Sequence, residues 1–204
     1  MSVKIILVRH GQTEWNRIER FRGRYDIPLN QTGLDQATRT GMKISKKWKP
    51  TAIYSSPMGR ALETAKKIGE FCDLPVVPCD GLNDIDYGEW QGLTPEDVNK
   101  RWPDLLKVWY EIPEMAYIPE GESLTQVKER AMSTIRELCE KHPDSTIVLV
   151  SHTVVNRMIL LSILGAGKDH FWRIHQDPCA INIFEQNHTF YNVVCWNDTC
   201  HLDV

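Results

Sequence analysis

Val3-Lys4-Ile5-Ile6-Leu7-Val8-Arg9-His10-Gly11 is an apolar run that ends in two basic residues and a glycine. The run is typical of a buried β-strand, and the glycine relaxes the backbone for a turn directly after it. Shorter apolar runs at residues 52–55 and 146–150 alternate with helical patterns along the chain. This alternation predicts an α/β fold, a three-layer α/β/α sandwich with a mostly parallel central sheet.

Helix signals lie between and after these strands. Thr32 is the predicted N-cap of a first helix, and Ser56, which precedes a proline, is the predicted N-cap of a second. Thr94 and Ser123 each start the pattern of a further helix, and the helix after Ser123 extends to about His142. Another helix follows the third strand.

Near the end of the sequence, two apolar runs predict antiparallel strands. Residues 180–184 and 190–196 form a hairpin across Gln186-Asn187-His188 in this interpretation. Residues 74–78 predict a short edge strand, because its two prolines cannot donate backbone hydrogen bonds. We expect one domain over residues 1–204, since this length buries a sizeable core within a single α/β unit.

Composition and charge exclude several classes of protein. The 42% hydrophobic and 25% charged residues are typical of globular proteins rather than of disordered chains or collagen. A formal net charge of −3 provides no general positive field, so we expect neither a nucleic-acid nor a membrane partner. We find no signal peptide and no run of about 18–20 apolar residues. Six irregularly spaced cysteines without a CxxC motif favour reduced thiols and a cytoplasmic protein.

An irregular, aromatic-rich segment lies at about residues 79–122. Two interpretations are open: the segment covers an active site, or its aromatic side chains fill the core or a subunit interface. This segment and the terminal strand each offer a surface for a homodimer. We expect such a dimer, since an uncovered sheet edge tends to find a partner.

Basic and imidazole side chains follow the predicted strands at their carboxyl ends, where open parallel sheets bind ligands. Arg9 and His10 end the first strand, His152 follows a later strand, and Arg60 lies within one helical turn of another. Guanidinium groups and helix N-termini together match a phosphoryl group. The chain has no Walker lysine and no acidic metal box. Histidine, with an ordinary pKa of about 6.5, provides a neutral nitrogen nucleophile at pH 7.

An ordered set of short motifs resembles the histidine phosphatase superfamily, which has the phosphoglycerate-mutase-like fold. The resemblance covers residues 3 to about 165, and it rests on residues 7–16, Gly23 with residues 28–33, residues 54–57 with Arg60, Thr64 and Ala65, residues 84–92, residues 121–123 and residues 150–152. Arg-His-Gly alone is a common tripeptide, whereas the ordered set is specific.

The resemblance implies a role for each site residue. His10 is the nucleophile that becomes phosphohistidine, and neither a cofactor nor a metal is implied. A carboxylic acid, here Asp84, protonates the leaving oxygen and then takes a proton from the water that cleaves the N–P bond. The residues implied for the phosphate pocket are Arg9, Asn16, Arg60 and His152.

The implied acid departs from the family's pattern. Asp84 stands where a longer glutamate preceded by arginine is usual, so its carboxyl reaches one methylene less far and a neighbouring cation is missing. Asp86 and Glu89 therefore remain alternatives for this role.

Two further departures concern the pocket. Thr153 stands where a glycine usually follows the second histidine, and it adds a hydroxyl group. Arg22, which precedes Gly23, stands where many relatives carry a neutral residue. Arg22 belongs to a basic rim that either steers an anionic substrate or is solvated surface; the other members of this rim are Arg17, Arg20 and Arg24. For Arg17 and Arg20 we favour solvated surface.

Three classes of protein carry these motifs: phosphatases, mutases and non-catalytic phosphate-binding proteins. Mutases of the family have extra segments that keep water from the phosphohistidine, whereas the middle segment is short here, which favours a phosphatase. A binding protein would have a degraded site, but His10 and its basic neighbours are present.

We expect the substrate to be a small phosphorylated metabolite, with phosphoserine as the leading candidate. The tail at residues 197–202 is similar to that of metal-independent phosphoserine phosphatases within the superfamily, in which a C-terminal histidine helps to hold the substrate. This similarity makes His201 and Tyr87 candidate contacts for the serine carboxylate. The alternatives are α-ribazole phosphate, sugar phosphates and phosphoglycerates.

Overall fold

One sheet forms the centre of the computed structural model, which describes residues 2–187 and 190–203. Its strands are Ser2–Arg9 (β1), Ala52–Ser55 (β2), Val76–Pro78 (β3), Thr146–Ser151 (β4), Ile181–Asn187 (β5) and Phe190–Asp198 (β6). Their order across the sheet is β3-β2-β4-β1-β5-β6. The first four strands in this order are parallel, whereas β5 is antiparallel to β1 and β6 is antiparallel to β5. The predicted mostly parallel sheet with an antiparallel end is confirmed.

Helices cover both faces of this sheet. They are Glu14–Arg17 (α1), Gln31–Lys47 (α2), Gly59–Cys72 (α3), Pro95–Arg101 (α4), Pro103–Glu111 (α5), Leu124–Lys141 (α6) and Thr153–Leu164 (α7). On one face α2 packs against α3, and on the other α6 packs against α7. Short 3-10 helices at Asp80–Leu82, Gly88–Trp90, Pro113–Met115 and Lys168–Arg173 connect them.

Successive residues of β1 point to opposite faces of the sheet. Ile5 and Leu7 belong to the hydrophobic core shared with α6 and α7, whereas Ile6 and Val8 belong to the core shared with α2 and α3. All four side chains are completely buried. Burying such a side chain contributes about 1.5–3 kcal/mol, so the two cores together fix the register of β1. A sheet with a core on each face confirms the predicted three-layer α/β/α sandwich.

Two helix starts differ from the sequence-based expectation. Asn30, not Thr32, is the N-cap of α2, because the Asn30 side-chain oxygen accepts a hydrogen bond from the backbone N–H three residues later at 2.9 Å. Met58, not Ser56, precedes α3. The hydroxyl of Ser56 lies instead 2.8 Å from the ring nitrogen of a buried histidine. In contrast, capping boxes at Thr94 and Ser123 confirm the predicted starts of α4 and α6.

The terminal hairpin is longer than predicted. Gln186 and Asn187 were expected in a turn but pair with Tyr191 and Phe190 as the last residues of β5. The remaining residue of the predicted turn, His188, lies outside the described residues. On β6, the last strand of the sheet, alternate side chains on one face are exposed, including Phe190, Val194 and Trp196.

Membrane and disulfide features can be stated for the residues that the structure describes. None of the helices there is long and apolar enough to cross a bilayer. All six cysteines lie in the described ranges, and each is a free thiol.

Candidate active site

Two histidines meet where β1 and β4 end. The strands are parallel neighbours with Arg9 opposite Ser151, so the next residues, His10 and His152, leave the sheet at the same edge. Their ring centroids lie 5.1 Å apart. The carboxyl edge of the sheet therefore places the two predicted imidazoles side by side.

The His10 imidazole is held with one nitrogen free. Its Nδ1 lies 2.7 Å from the carbonyl oxygen of Gly11, which can only accept, so Nδ1 carries the proton and Nε2 keeps its lone pair. The residue is 1% exposed. Burial first, and then the charge of Arg60, lowers the pKa of His10 well below its ordinary value of 6.5. At pH 7 the Nε2 atom is therefore an uncharged nitrogen with nucleophilic character.

The second imidazole, His152, is completely buried as the N-cap residue of α7. Its Nε2 lies 2.8 Å from Ser56 Oγ, and its Nδ1 lies 3.4 Å from Asp84 Oδ2 without hydrogen-bond geometry. Burial and the charge of Arg60 lower the pKa of His152 well below 6.5. Both imidazoles are thus neutral in a strongly cationic environment.

Arg60 and Asp84 form a buried ion pair beside these rings. Arg60 Nη2 donates to Asp84 Oδ2 at 2.8 Å, and the same guanidinium donates to the carbonyl oxygens of Gly23 and Tyr25. The second carboxylate oxygen, Asp84 Oδ1, accepts from the N–H of Ile85. Gly23 adopts a φ of +50°, a conformation that favours glycine. Gly23 therefore acts on the site through Arg60, which it helps to hold in one orientation.

Arg130, on α6, holds the backbone around the acid and was missed in the sequence. Its guanidinium donates to the carbonyl oxygens of Gly81, Asn83 and Asp84 at 2.7 to 3.1 Å. It also forms a bidentate pair with Glu122. The helical spacing of α6 indicates only a buried apolar stripe, so no local signal identifies Arg130. Arg130 thus positions Asp84 through its backbone, while its charge is paired with Glu122.

Arg9 lies at the end of β1 with its guanidinium held from one side. Its Nη1 donates to the carbonyl oxygen of Gln176 at 2.5 Å. Burial first, and then the charges of Arg22 and Arg157, lowers the pKa of Arg9 to about 9. Like charges held this close together are typical of a site that binds an anion.

A cavity of about 290 Å³ opens onto these groups. The predicted residues that line it are Arg9, Asn16, Arg22, Gly23, Asp84, Tyr87 and Thr153. His10, Arg60 and His152 are buried beneath this lining. Arg60 and His152 each lie next to the lining residue Asp84, and His10 directly follows the lining residue Arg9. The structure therefore brings ten of the eleven predicted residues to one place.

The polar lining residues are oriented by their neighbours. The side-chain oxygen of Asn16 accepts hydrogen bonds from the Thr13 backbone and hydroxyl at 2.8 and 2.9 Å, which leaves its amide nitrogen as a donor. Burial raises the pKa of Tyr87, so its hydroxyl stays protonated at the cavity wall. Its ring packs edge-on against Phe21 and Trp109.

His201 is the predicted residue that lies elsewhere. Its Nε2 lies 2.9 Å from Thr40 Oγ1 on α2, and the neighbouring Leu202 carbonyl accepts from Arg39 of the same helix. The C-terminal turn therefore packs on α2 and not at the cavity. His201 is therefore not among the residues that line the cavity in this structure, and its contact with the substrate stays a prediction.

The alternatives for the acid lie apart from the cavity lining. Asp86 Oδ1 accepts from the Gly88 N–H, and Asp86 Oδ2 is 3.4 Å from Arg24. Glu89 is exposed. Of the three candidate acids, Asp84 is the one that lines the cavity.

The outer wall of the cavity was largely missed in the sequence. We use this name for Trp109, Tyr110, Arg157, Phe171 and Trp172. The irregular segment at 79–122 contributes two of these residues to the cavity, whereas Trp90 is completely buried in the core and Tyr117 is 70% exposed. One part of the segment therefore covers the active site, and another part fills the core. Arg20, expected as solvated surface, also lines the cavity and donates to the Gly92 carbonyl at 2.6 Å.

Among residues 2–187 and 190–203, no group of three or more histidine, cysteine, aspartate or glutamate side chains has the arrangement of a metal site.

Comparisons with known proteins agree with this geometry. The sequence model of the histidine phosphatase superfamily (branch 1) matches residues 5–199. "Phosphoserine phosphatase 1" of Hydrogenobacter thermophilus is 34% identical over 200 residues, which cover 98% of this chain and 94% of that protein. The solved structure "Bacillus stearothermophilus YhfR" has a TM-score of 0.94 at 27% identity and covers 98% of this chain and 100% of its own. A mutant phosphoserine phosphatase from Entamoeba histolytica in complex with phosphoserine has a TM-score of 0.88 at 29% identity, covering 98% and 99%.

Proposed function

The chain belongs to the histidine phosphatase superfamily, branch 1, and is a phosphoric monoester hydrolase; we propose that it works without a metal or cofactor, through a phosphohistidine at His10. The proposed substrate is a small anionic metabolite, with phosphoserine as the leading candidate. Relatives named phosphoserine phosphatase support this choice.

The observation that carries the proposal is the free Nε2 of His10. This nitrogen is uncharged, is fixed by the Nδ1 contact to Gly11, and lies among the positive charges of Arg9, Arg22 and Arg60. A phosphoryl group drawn in by these guanidiniums meets a nucleophile that cannot rotate away. The same guanidiniums and the N-terminus of α7 stabilise the charge on the phosphoryl oxygens during transfer.

In the first step, the Nε2 lone pair of His10 attacks phosphorus and the ester P–O bond breaks. The leaving oxygen takes a proton from the carboxyl group of Asp84 and departs as a neutral alcohol. The products of the step are the alcohol, phosphohistidine and the Asp84 carboxylate.

In the second step, water attacks the phosphorus of phosphohistidine. The Asp84 carboxylate takes a proton from this water, the N–P bond breaks, and its electron pair returns to His10 Nε2. Inorganic phosphate is released, and Asp84 again carries the proton for the next turnover.

The intermediate can be trapped directly. Wild-type enzyme mixed with p-nitrophenyl phosphate in EDTA and quenched in base should yield a phosphorylated peptide that contains His10, detected by mass spectrometry. His10→Ala should give neither the peptide nor turnover. His201→Ala is a matched control, because it removes a half-buried imidazole that lies on α2, and it should retain both. Turnover by His10→Ala, or a strict requirement for Mg²⁺, would overturn the proposal.

A second assay separates hydrolysis from transfer between substrates. With 3-phosphoglycerate and 2,3-bisphosphoglycerate, a phosphatase releases inorganic phosphate faster than it forms 2-phosphoglycerate. The reverse order would identify a mutase. Turnover of a panel that includes phosphoserine, α-ribazole phosphate and sugar phosphates would then rank the substrates by kcat/KM.

A further inference from the structure

Three arginines of the cavity have no acidic partner among the residues that the structure describes. Arg9, Arg22 and Arg157 all line the cavity, yet none forms an ion pair there, whereas Arg60 is paired with Asp84. Charges removed from water are costly unless they are paired. The positive charges of the lining are therefore paired only when a ligand with several negative charges is bound.

Arg157 is anchored in a way that leaves its terminal nitrogens available. Its Nε donates to the Ile174 carbonyl at 2.7 Å, and its guanidinium stacks on the rings of Phe171 and Trp172 at 4.9 and 5.1 Å. No hydrogen bond from its two Nη atoms occurs within the described ranges. A guanidinium that is fixed at Nε and free at both Nη atoms is prepared for two parallel hydrogen bonds to a planar anion.

Arg157 belongs to the outer wall of the cavity, where its guanidinium stacks on Phe171 and on Trp172, which is 39% exposed. The two imidazoles lie at the opposite depth, since His10 and His152 are at most 1% exposed and are buried beneath the lining. With the phosphoryl group next to His10, Arg157 is therefore placed toward the part of the substrate that leaves.

We propose that Arg157 binds a carboxylate on the leaving group, so that the preferred substrates are small phosphate monoesters of hydroxy acids. This inference rests on the proposed function, because it assumes that the phosphoryl group occupies the place next to His10.

The geometry of Arg157 supports a carboxylate rather than a second phosphate. Two parallel Nη donors match the two oxygens of a planar carboxylate, whereas a phosphate is tetrahedral. The volume of about 290 Å³ lies at the small end for ligand sites, which fits a small phosphate monoester.

The test uses two pairs of substrates that differ in the carboxylate. Phosphoserine is compared with O-phosphoethanolamine, and 3-phosphoglycerate with glycerol 3-phosphate. The wild-type enzyme should prefer the acid of each pair in kcat/KM by about 10- to 100-fold, the range expected for a charge-assisted bidentate contact. Arg157→Gln should lose this preference, because its kcat/KM should fall at least about 10-fold more for the two acids than for O-phosphoethanolamine, glycerol 3-phosphate and p-nitrophenyl phosphate.

A second variant and the wild-type data distinguish the loss of a carboxylate contact from a folding defect. Arg157→Lys keeps the charge but cannot form two parallel hydrogen bonds, so it should retain an intermediate preference. Loss of activity in equal proportion on all four esters would show that Arg157 serves only to hold the 168–174 turn, and it would overturn the inference. Equal use of acid and non-acid substrates by the wild type would also overturn it. A larger preference for fructose 1,6-bisphosphate over fructose 6-phosphate than for either acid would assign the site to a second phosphate instead.

Failure of the proposed function gives a different result. If it fails, His10→Ala still hydrolyses p-nitrophenyl phosphate. If only the Arg157 inference fails, His10→Ala is inactive and the wild type hydrolyses acid and non-acid esters alike.

Discussion

The floor and the outer wall of the cavity are built in different ways. The floor consists of His10, Arg60 and His152, which are at most 1% exposed and stand where regular strands and helices begin or end. The outer wall comes from α5, α7 and the turn at 168–173, and its Tyr110 and Trp172 are 41% and 39% exposed. The difference teaches that the carboxyl edge of the sheet fixes the two imidazoles, whereas elements farther from the sheet shape the space for the leaving group. Changes in the floor should therefore act on kcat and changes in the wall on KM.

The largest expected effect comes from the acid that contacts the floor, Asp84. Asp84→Asn should lower kcat for phosphoserine by about 100- to 10,000-fold, because it removes the proton donor and acceptor. p-Nitrophenolate leaves without protonation, so the variant should release one equivalent in a burst and then turn over slowly. Stopped-flow absorbance measures the burst, and steady-state assays measure the turnover that follows it.

Matched variants of the neighbouring carboxylates control for this result. Asp86→Asn and Glu89→Gln change side chains outside the cavity lining, and each should keep kcat within about threefold of wild type. If either variant loses as much activity as Asp84→Asn does, that residue is the acid and the assignment of Asp84 is contradicted.

A smaller effect is expected where the floor depends on a distant helix. Arg130→Gln should lower kcat by about 10- to 100-fold with little change in KM, because the backbone around Asp84 loses three hydrogen bonds and the carboxyl group moves. Arg136→Gln, an exposed arginine of the same helix, should have no effect. Thermal unfolding measured beside the kinetics distinguishes misplacement of the acid from unfolding. A rise in KM alone would contradict a positioning role.

The burial of the imidazoles should also appear in stability against pH. The pKa of His10 is lowered in the folded state, so below about pH 6.5 the unfolded state binds a proton that the folded state does not. This contribution to stability is present above pH 6.5 and is lost as the pH falls toward the folded pKa, with a slope of at most about 1.4 kcal/mol per pH unit. Urea unfolding at pH 7.5, 6.5 and 5.5 should show a smaller decrease for His10→Gln than for wild type. Parallel decreases would mean that His10 is not held neutral.

The smallest expected effect lies in the outer wall. Trp172→Phe removes the donor to the Trp109 carbonyl and weakens the stack beneath Arg157. We expect KM to change by no more than about fivefold and kcat to stay within about twofold. A large fall in kcat would show that the outer wall acts on the chemical step as the floor does, and it would contradict this comparison.

Much of the floor follows from the sequence because strand ends are predictable. Apolar runs locate β1 and β4, and parallel neighbours place their carboxyl ends together, so His10 and His152 could be paired without a structure. The position of Asp84 followed from a motif rather than from periodicity. The geometry then distinguished it from Asp86, since two carboxylates two residues apart differ only in what they face.

The outer wall and the caps could not be predicted in this way. Arg157 lies within an apolar helix, and its partners Phe171, Trp172 and Ile174 belong to a connection without a repeating pattern. The local pattern predicts Ser56 as a cap, whereas its hydroxyl contacts His152. These residues are 96 positions apart, so no local pattern indicates the contact. The position of His201 could not be predicted for the same reason, since nothing local indicates that the C-terminal turn packs on α2.

The depth of His10 dictates the order in which molecules pass through the cavity. Because the His10 side chain is 1% exposed, water reaches it through the space that the alcohol occupied before it left. In the proposed two-step reaction the alcohol must leave before water takes its place, so we expect inorganic phosphate to be the last product to dissociate and to compete with substrate for the free enzyme. A small alcohol that occupies the vacated space should then accept the phosphoryl group in competition with water.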